Sequence, residues 1–367
     1  MAPPRLLRLI LLLAATHLAG ATGAISAPNP TPVRAPPTRP TATQLPWTTA
    51  RLRGLEFVDL RDVGTKLGWK PLWNTPGRKL TLSAGEGNGI VFELDGRDCY
   101  LNGIRIFLSE RVAGARDTLW IAKVDLVKTI APLLRPADHA AALPAPPRLI
   151  VLDAGHGGTD PGKYNLKYRL NEKDMTLDVV LRLKKVLEAR GYRIALTRAD
   201  DTRFSSNPIV DLQRRANFAN QAGAELFLSV HFNAVDPKDS HRVTGSETYV
   251  LTPQGMLSTS DQEKDDLTDA AFPGNRQDLA NAVLGYFLHR QLIDRLQTSD
   301  RGYKRARFAV LRFVNCPAAL LEAAYLSNDD EAARVAKPEF RQEIAEAIAA
   351  GVESYSAALQ ALRPAAK

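Results

Sequence analysis

Arg148-Leu-Ile-Val-Leu-Asp-Ala-Gly-His156-Gly-Gly-Thr-Asp-Pro-Gly162 is the stretch on which the fold turns. A short apolar run, Leu149 to Leu152, passes into a glycine-rich loop that carries one histidine. A run this short, bounded by turn residues, reads as a buried strand of a parallel sheet. In open α/β sheets the loops beyond the carboxyl ends of the strands converge, and chemistry collects there. His156 stands at such a place.

From residue 148 to about 360, strand and helix signals alternate. That pattern predicts an α/β domain with a largely parallel twisted sheet flanked by helices. Asn171 is a candidate N-cap, and 173–190 is amphipathic through Met175, Val179, Val180, Leu183, Val186 and Leu187. Strands are expected at 192–197, 225–230, 246–251, 308–311 and 318–321, and helices at 209–222, 277–297 and 339–358.

Upstream the chain changes character. Residues 1–24 read as a secretory signal: Arg5 and Arg8, an apolar run over 6–18, then small residues at Ala19, Gly20, Ala21 and Ala24. No other run is long enough to span a bilayer, so no membrane insertion is expected after cleavage. Residues 25–50 are rich in Pro, Thr and Ala and suit an extended tether. Residues 51–135 read as a small α+β domain, and 136–147 as a second linker with His139 in solvent.

The 367 residues suit two domains, and a hydrophobic content of 45% is ample for a core. A net charge of +8 favours an anionic partner. Nucleic acid is not expected, because the basic residues form no compact stripe and the signal directs the chain outward. Cys99 and Cys316 are too few for a disulfide framework and fall in different predicted domains.

Three residues of the 148–360 region are placed to meet at one edge of the sheet: His156 after the first strand, Glu172 at the start of the next helix, and His231 directly after the third strand. Singly, each has an ordinary structural reading. Together they offer the donor set a catalytic zinc site uses, one ion held through three protein ligands with a position open for water. Glu322 follows the apolar run 318–321, where a carboxylate is costly to bury without a cation or hydrogen-bond partner.

The segments LDAGHGGTDPG, LNEKDMTLDV, LTRADD, RRANFAN, LFLSVHFNA, GSETYVL, DRGYKRARFAVLR and PAALLEAAYLSN occur in this order across about 148–355. In order and spacing they resemble the zinc-dependent N-acetylmuramoyl-L-alanine amidases. Ala154 departs from the proline common at that turn. The resemblance implies that His156, Glu172 and His231 bind zinc and that Glu322 is the catalytic acid/base. It further implies hydrolysis of the amide joining the lactyl group of N-acetylmuramic acid to L-alanine in peptidoglycan. The periplasm or cell wall is then the expected location, a monomer the expected state, and an activator protein a candidate partner. Residues 51–135, through FVDLRDVGTKLGW, YLNGIRIFL and LWIAKVDL, resemble the copper-amine-oxidase N-terminal-like module. No histidine between Trp47 and Pro136 suggests copper binding there.

Three other readings bear on the same residues. A phosphate-binding loop at Gly157–Lys163 fails because Tyr164 stands where Ser or Thr would hold magnesium, and because the helix begins only near Asn171. An inactive wall-binding module and a zinc peptidase cutting another bond remain the alternatives. The acidic stretch 252–275, with Asp261, Glu263, Asp265, Asp266 and Asp269, is either a surface loop or a shield that lends a carboxylate to the metal.

Overall fold

The computed structural model describes residues 45–115 and 117–363. The expected export signal and most of the proline-rich tether lie outside the described residues. The N-terminal part opens with the hairpin β1 (Thr49–Leu52) and β2 (Leu55–Asp59), then α1 (Leu60–Leu67). Asp59 caps α1 by accepting the Arg61 N–H at 2.7 Å, and Gly68 ends it in the left-handed conformation, φ 78°. An antiparallel meander follows: β3 (Lys70–Thr75), β4 (Lys79–Ser83), β5 (Gly89–Glu93), β6 (Asp98–Leu101) and β7 (Ile104–Phe107). Alternate residues Leu80, Leu82, Ile90 and Phe92 point inward and are fully buried, as a period of two dictates.

β8 (Ala113–Ala115) and β9 (Thr118–Ala122) join β1 and β2 in a separate four-stranded sheet. The chain then runs through α2 (Lys123–Asp125), a π-helical turn at Leu126–Ile130, α3 (Ala131–Leu134) and a 3-10 helix at Pro136–Ala142. His139, expected in solvent, is instead 6% exposed on this 3-10 helix. Leu134 and Leu143 on either side belong to the core and draw the segment in.

The second part contains β10 (Leu149–Ala154), the small hairpin β11 (Tyr164–Asn165) and β12 (Leu170–Asn171), α4 (Glu172–Ala189), β13 (Arg193–Leu196), α5 (Pro208–Gln221) and β14 (Leu226–Asn233). It continues with β15 (Ser246–Leu251), α6 (Asp278–Leu296), β16 (Asp300–Ala306), α7 (Ala309–Arg312), β17 (Ala318–Tyr325), α8 (Asp329–Ala336) and α9 (Pro338–Ala361). The sheet order is β13-β10-β14-β17-β15-β16, parallel throughout except where β15 meets β17. The expected strand at 308–311 is the single helical turn α7. The strand lies just before it in β16, where Arg301, Lys304 and Arg305 mask its pattern.

Two layers of helices cover this sheet. Ile150, Leu152, Leu228, Val230 and Leu321 share a core with Val179 and Leu183 of α4, Leu288 of α6 and Ile348 of α9. Val151, Phe227 and Leu320, one residue out of phase, pack with Ala216 and Ala219 of α5. Period two therefore places Asp153, Ser229, His231 and Glu322 on the α5 face.

β7 pairs in parallel with β16 through Ile106 and Tyr303, so both parts form one eleven-stranded sheet ending at β3. A Cβ on Gly302 would lie 2.6 Å from the Phe107 ring, so the seam requires glycine there. Asp300 accepts the Arg105 N–H at 2.9 Å and contacts buried His289 at 2.9 Å. Arg305, 2% exposed, donates to the Phe107 carbonyl and to Thr129 Oγ1. Nearby Asp125 is fully buried, and burial pushes its carboxyl up to about 6 against the opposing charge of Arg305. Arg305→Met would strand both acceptors and remove that charge. We expect a loss of about 3 kcal/mol, read by urea denaturation at neutral pH.

Candidate active site

His156 follows β10 directly, and its backbone takes φ 63°, a left-handed conformation rare for a non-glycine residue. Two buried guanidiniums hold it there. Arg215 of α5 donates to the His156 carbonyl at 2.7 Å and to the Ala154 carbonyl at 2.8 Å. Arg198 donates to Ala154 and Gly155, each at 2.9 Å. Arg215 is itself anchored by Asp153 at 2.9 Å and Asp211 at 2.8 Å. Asp153 is satisfied by the hydroxyls of Thr197 and Ser229, both at 2.6 Å. Together with its buried guanidinium partner, these keep it ionised despite burial.

Glu172 opens α4 and is 4% exposed. Asn171 occupies the cap position, but its side chain caps no backbone N–H and instead donates to Asp174 at 2.9 Å. Glu172 Oε1 lies 3.0 Å from His156 Nε2 and 3.1 Å from His231 Nδ1, and accepts the Phe232 N–H at 3.0 Å. Its Oε2 accepts the Lys163 N–H at 2.9 Å. Burial opposes ionisation, yet the bonds to the two imidazoles hold this carboxyl far below the usual range. On the other side of His156, Nδ1 meets Asp160 Oδ2 at 3.0 Å. Burial disfavours the imidazolium of His156, but Glu172 and Asp160 outweigh it and raise its pKa.

His156, Glu172 and His231 thus converge, with one ligating atom from each within 4.8 Å of the others. Two imidazoles and a carboxylate are the donor set that divalent zinc takes. Glu322 completes the group. It lies within β17 rather than after it, in register with His231 on β14 and with Glu247 on β15. His231 likewise lies inside β14, which runs on to Asn233. Glu322 Oε2 is buried without a hydrogen-bond partner. Burial, then the charges of Glu172 and Glu247, push its carboxyl well above the usual range, with Lys304 opposing. An orphaned carboxylate oxygen beside such a donor set suits a site completed by a cation and water.

Other members of the site were not singled out by sequence. Glu247, 1% exposed, receives Lys304 Nζ and Tyr249 OH, each at 2.6 Å, and Asn233 Nδ2 at 2.9 Å. A cleft of about 290 Å³ opens over His156, His231 and Glu322, and its lining includes apolar Pro208, Leu212 and Phe308 and charged Asp160 and Arg203. The acidic stretch 252–275 contributes nothing to the metal-capable group among the described residues. Asp261 is turned to Arg307 at 3.3 Å, and Arg97 grips the Ser258 carbonyl at 2.8 Å.

The fit is tight enough to test. A Cβ on Gly155 would fall 2.3 Å from the His231 ring, whereas at Gly191 it would meet nothing within 4 Å. If these three residues take up zinc, Gly155→Ala should weaken that uptake by roughly tenfold or more, while Gly191→Ala, at an exposed position strained only by its own φ of 88°, should leave it unchanged. Competition with a chromophoric chelator reads both.

A family model described as N-acetylmuramoyl-L-alanine amidase (Amidase_3) matches residues 150–354. The chain is 34% identical over 205 residues to the endolysin of Bacillus phage SPP1, covering 56% of this chain and 65% of that protein. It is 28% identical over 256 residues to the amidase AmiC of Escherichia coli O6:H1, covering 64% of this chain and 59% of AmiC. With LytC of Bacillus subtilis the identity is 34%, over 56% of this chain and 35% of the relative. The chain therefore spans well under two thirds of AmiC and LytC. Among solved structures, AmiC2 of Nostoc punctiforme is 30% identical, with a TM-score of 0.45 over 56% of this chain and 96% of that one. The matched segment holds His156, Glu172, His231 and Glu322, and the chain belongs to the N-acetylmuramoyl-L-alanine amidase family.

Proposed function

We propose that this protein is a zinc-dependent peptidoglycan amidase. It hydrolyses the amide between the lactyl carbonyl of N-acetylmuramic acid and L-alanine of the stem peptide. The observation that carries this reading is the convergence of His156, Glu172 and His231 beside the unpartnered carboxylate of Glu322. His156, Glu172 and His231 would hold zinc, which would supply Lewis acidity towards the scissile carbonyl and lower the pKa of water towards neutrality. Glu322 accepts the proton of the attacking water and returns it to the departing amine, the double duty of a general acid/base. Asp160 fixes the orientation of the His156 ring through Nδ1. Leu212 and Phe308 give the cleft part of its apolar lining.

The periplasm or cell wall is the location that goes with this substrate. Among the described residues, no helix is long and apolar enough to cross a membrane. The region 51–135, as a copper-amine-oxidase-N-like module, would hold the enzyme on its polymer.

The test is digestion of purified peptidoglycan with and without chelator, the products resolved by mass. Intact stem peptides beginning at L-alanine, lost on chelation and restored by zinc, are expected. Peptides cut elsewhere would make this a zinc peptidase, and metal-free inactive protein would make it a wall-binding module. Glu322→Gln should retain metal and lose roughly 10²–10⁴-fold in turnover. Full activity in that variant would remove Glu322 from its role.

A further inference from the structure

Arg203 lies in the cleft with His156 and Glu322, yet no part of the mechanism uses it. Its side chain is only 10% exposed, and its Nε is buried without a hydrogen-bond partner. The guanidinium makes one long hydrogen bond, NH1 to Thr159 Oγ1 at 3.4 Å, and one ion-pair contact, Nε to Asp211 Oδ1 at 3.8 Å. A buried arginine normally fills its donors, and Arg215 nearby fills all of its nitrogens on Asp153, Asp211 and two carbonyls.

The carboxylates near Arg203 are committed elsewhere. Asp211 stands 3.8 Å away, but its Oδ2 holds Arg215 and its Oδ1 accepts the Phe204 N–H at 2.8 Å. Asp160 gives one oxygen to His156 and the other to the Gly162 N–H at 3.1 Å. The aliphatic stem is pinned against Gly158, where φ is 54° and an added Cβ would lie 3.2 Å from Arg203 Cγ. The result is a held, under-partnered fork of donors at the wall of the catalytic cleft. Such a fork matches a carboxylate.

We propose that Arg203 is a specificity residue that binds a free carboxylate on the peptide side of the scissile amide. This rests on the amidase reading above. The N-acetylated sugar is neutral and its lactyl carboxyl is tied up in the amide, so the peptide alone brings negative charge. Where the residue after L-alanine is a glutamate joined onward through its side-chain carboxyl, its α-carboxylate is free and is the first negative charge beyond the scissile amide.

Two probes isolate that group: N-acetylmuramoyl-L-alanyl-D-glutamate, and N-acetylmuramoyl-L-alanyl-D-isoglutamine, in which the same carboxylate is an amide. Steady-state kinetics of the intact wild-type chain should show a KM on the order of tenfold lower for the first probe, the worth of one charge-assisted hydrogen bond. In Arg203→Gln the two KM values should converge, with the loss on KM rather than kcat and with metal content as in the wild type. Arg203→Lys should restore part of the preference. A variant that weakens both probes equally would make Arg203 a structural residue and overturn the proposal, as would a wild type without preference. Binding of both probes to Glu322→Gln, measured by calorimetry, reads recognition without turnover. If neither these probes nor whole peptidoglycan is cleaved, the amidase reading fails, while the binding ratio still decides the role of Arg203.

Discussion

The guanidinium of Arg215 determines where the histidine loop can lie. It is 2% exposed, and such burial is affordable only because every nitrogen is matched. Asp153 and Asp211 supply the counter-charge, and the carbonyls of Ala154 and His156 take the remaining donors. The same residue thus ties β10, α5 and the left-handed turn at His156 together. The position of His156 is set from behind, by groups outside the metal-capable cluster.

This layer explains what was legible in the sequence and what was not. His156, Glu172, His231 and Glu322 were found because each sits next to an apolar strand or a helix start, positions that topology alone brings to one edge. The structure brings His156, Glu172 and His231 into one group and sets Glu322 in register with His231. Arg198 and Arg215 stood inside quoted motifs, yet nothing in a local pattern separates a buried arginine from a surface one. Glu247 was hidden for a related reason: its burial depends on Lys304, Tyr249 and Asn233, which come from three different strands or loops.

The errors of reading fall where tertiary context overrides pattern. β16 carries Arg301, Lys304 and Arg305, so its strand character was missed and displaced onto α7. Those charges point at partners across the sheet: Lys304 to Glu247, and Arg305 to the Phe107 carbonyl. His139 looked like a linker residue because proline dominates its surroundings, yet flanking leucines anchor the helix that holds it. In the acidic stretch 252–275, Asp261 meets Arg307 while Arg97 donates to the Ser258 carbonyl.

The pairing of β7 with β16 has a consequence for solubility. Without it, β16 would be a seven-residue strand with one row of backbone groups bare, a template for self-association. Joining the meander moves that open border five strands away, to β3. There Pro71 lacks an N–H and Lys70 adds charge beside it, two features that discourage another chain from docking edge to edge. The N-terminal strands therefore act as an edge guard, shielding the catalytic sheet from aggregation.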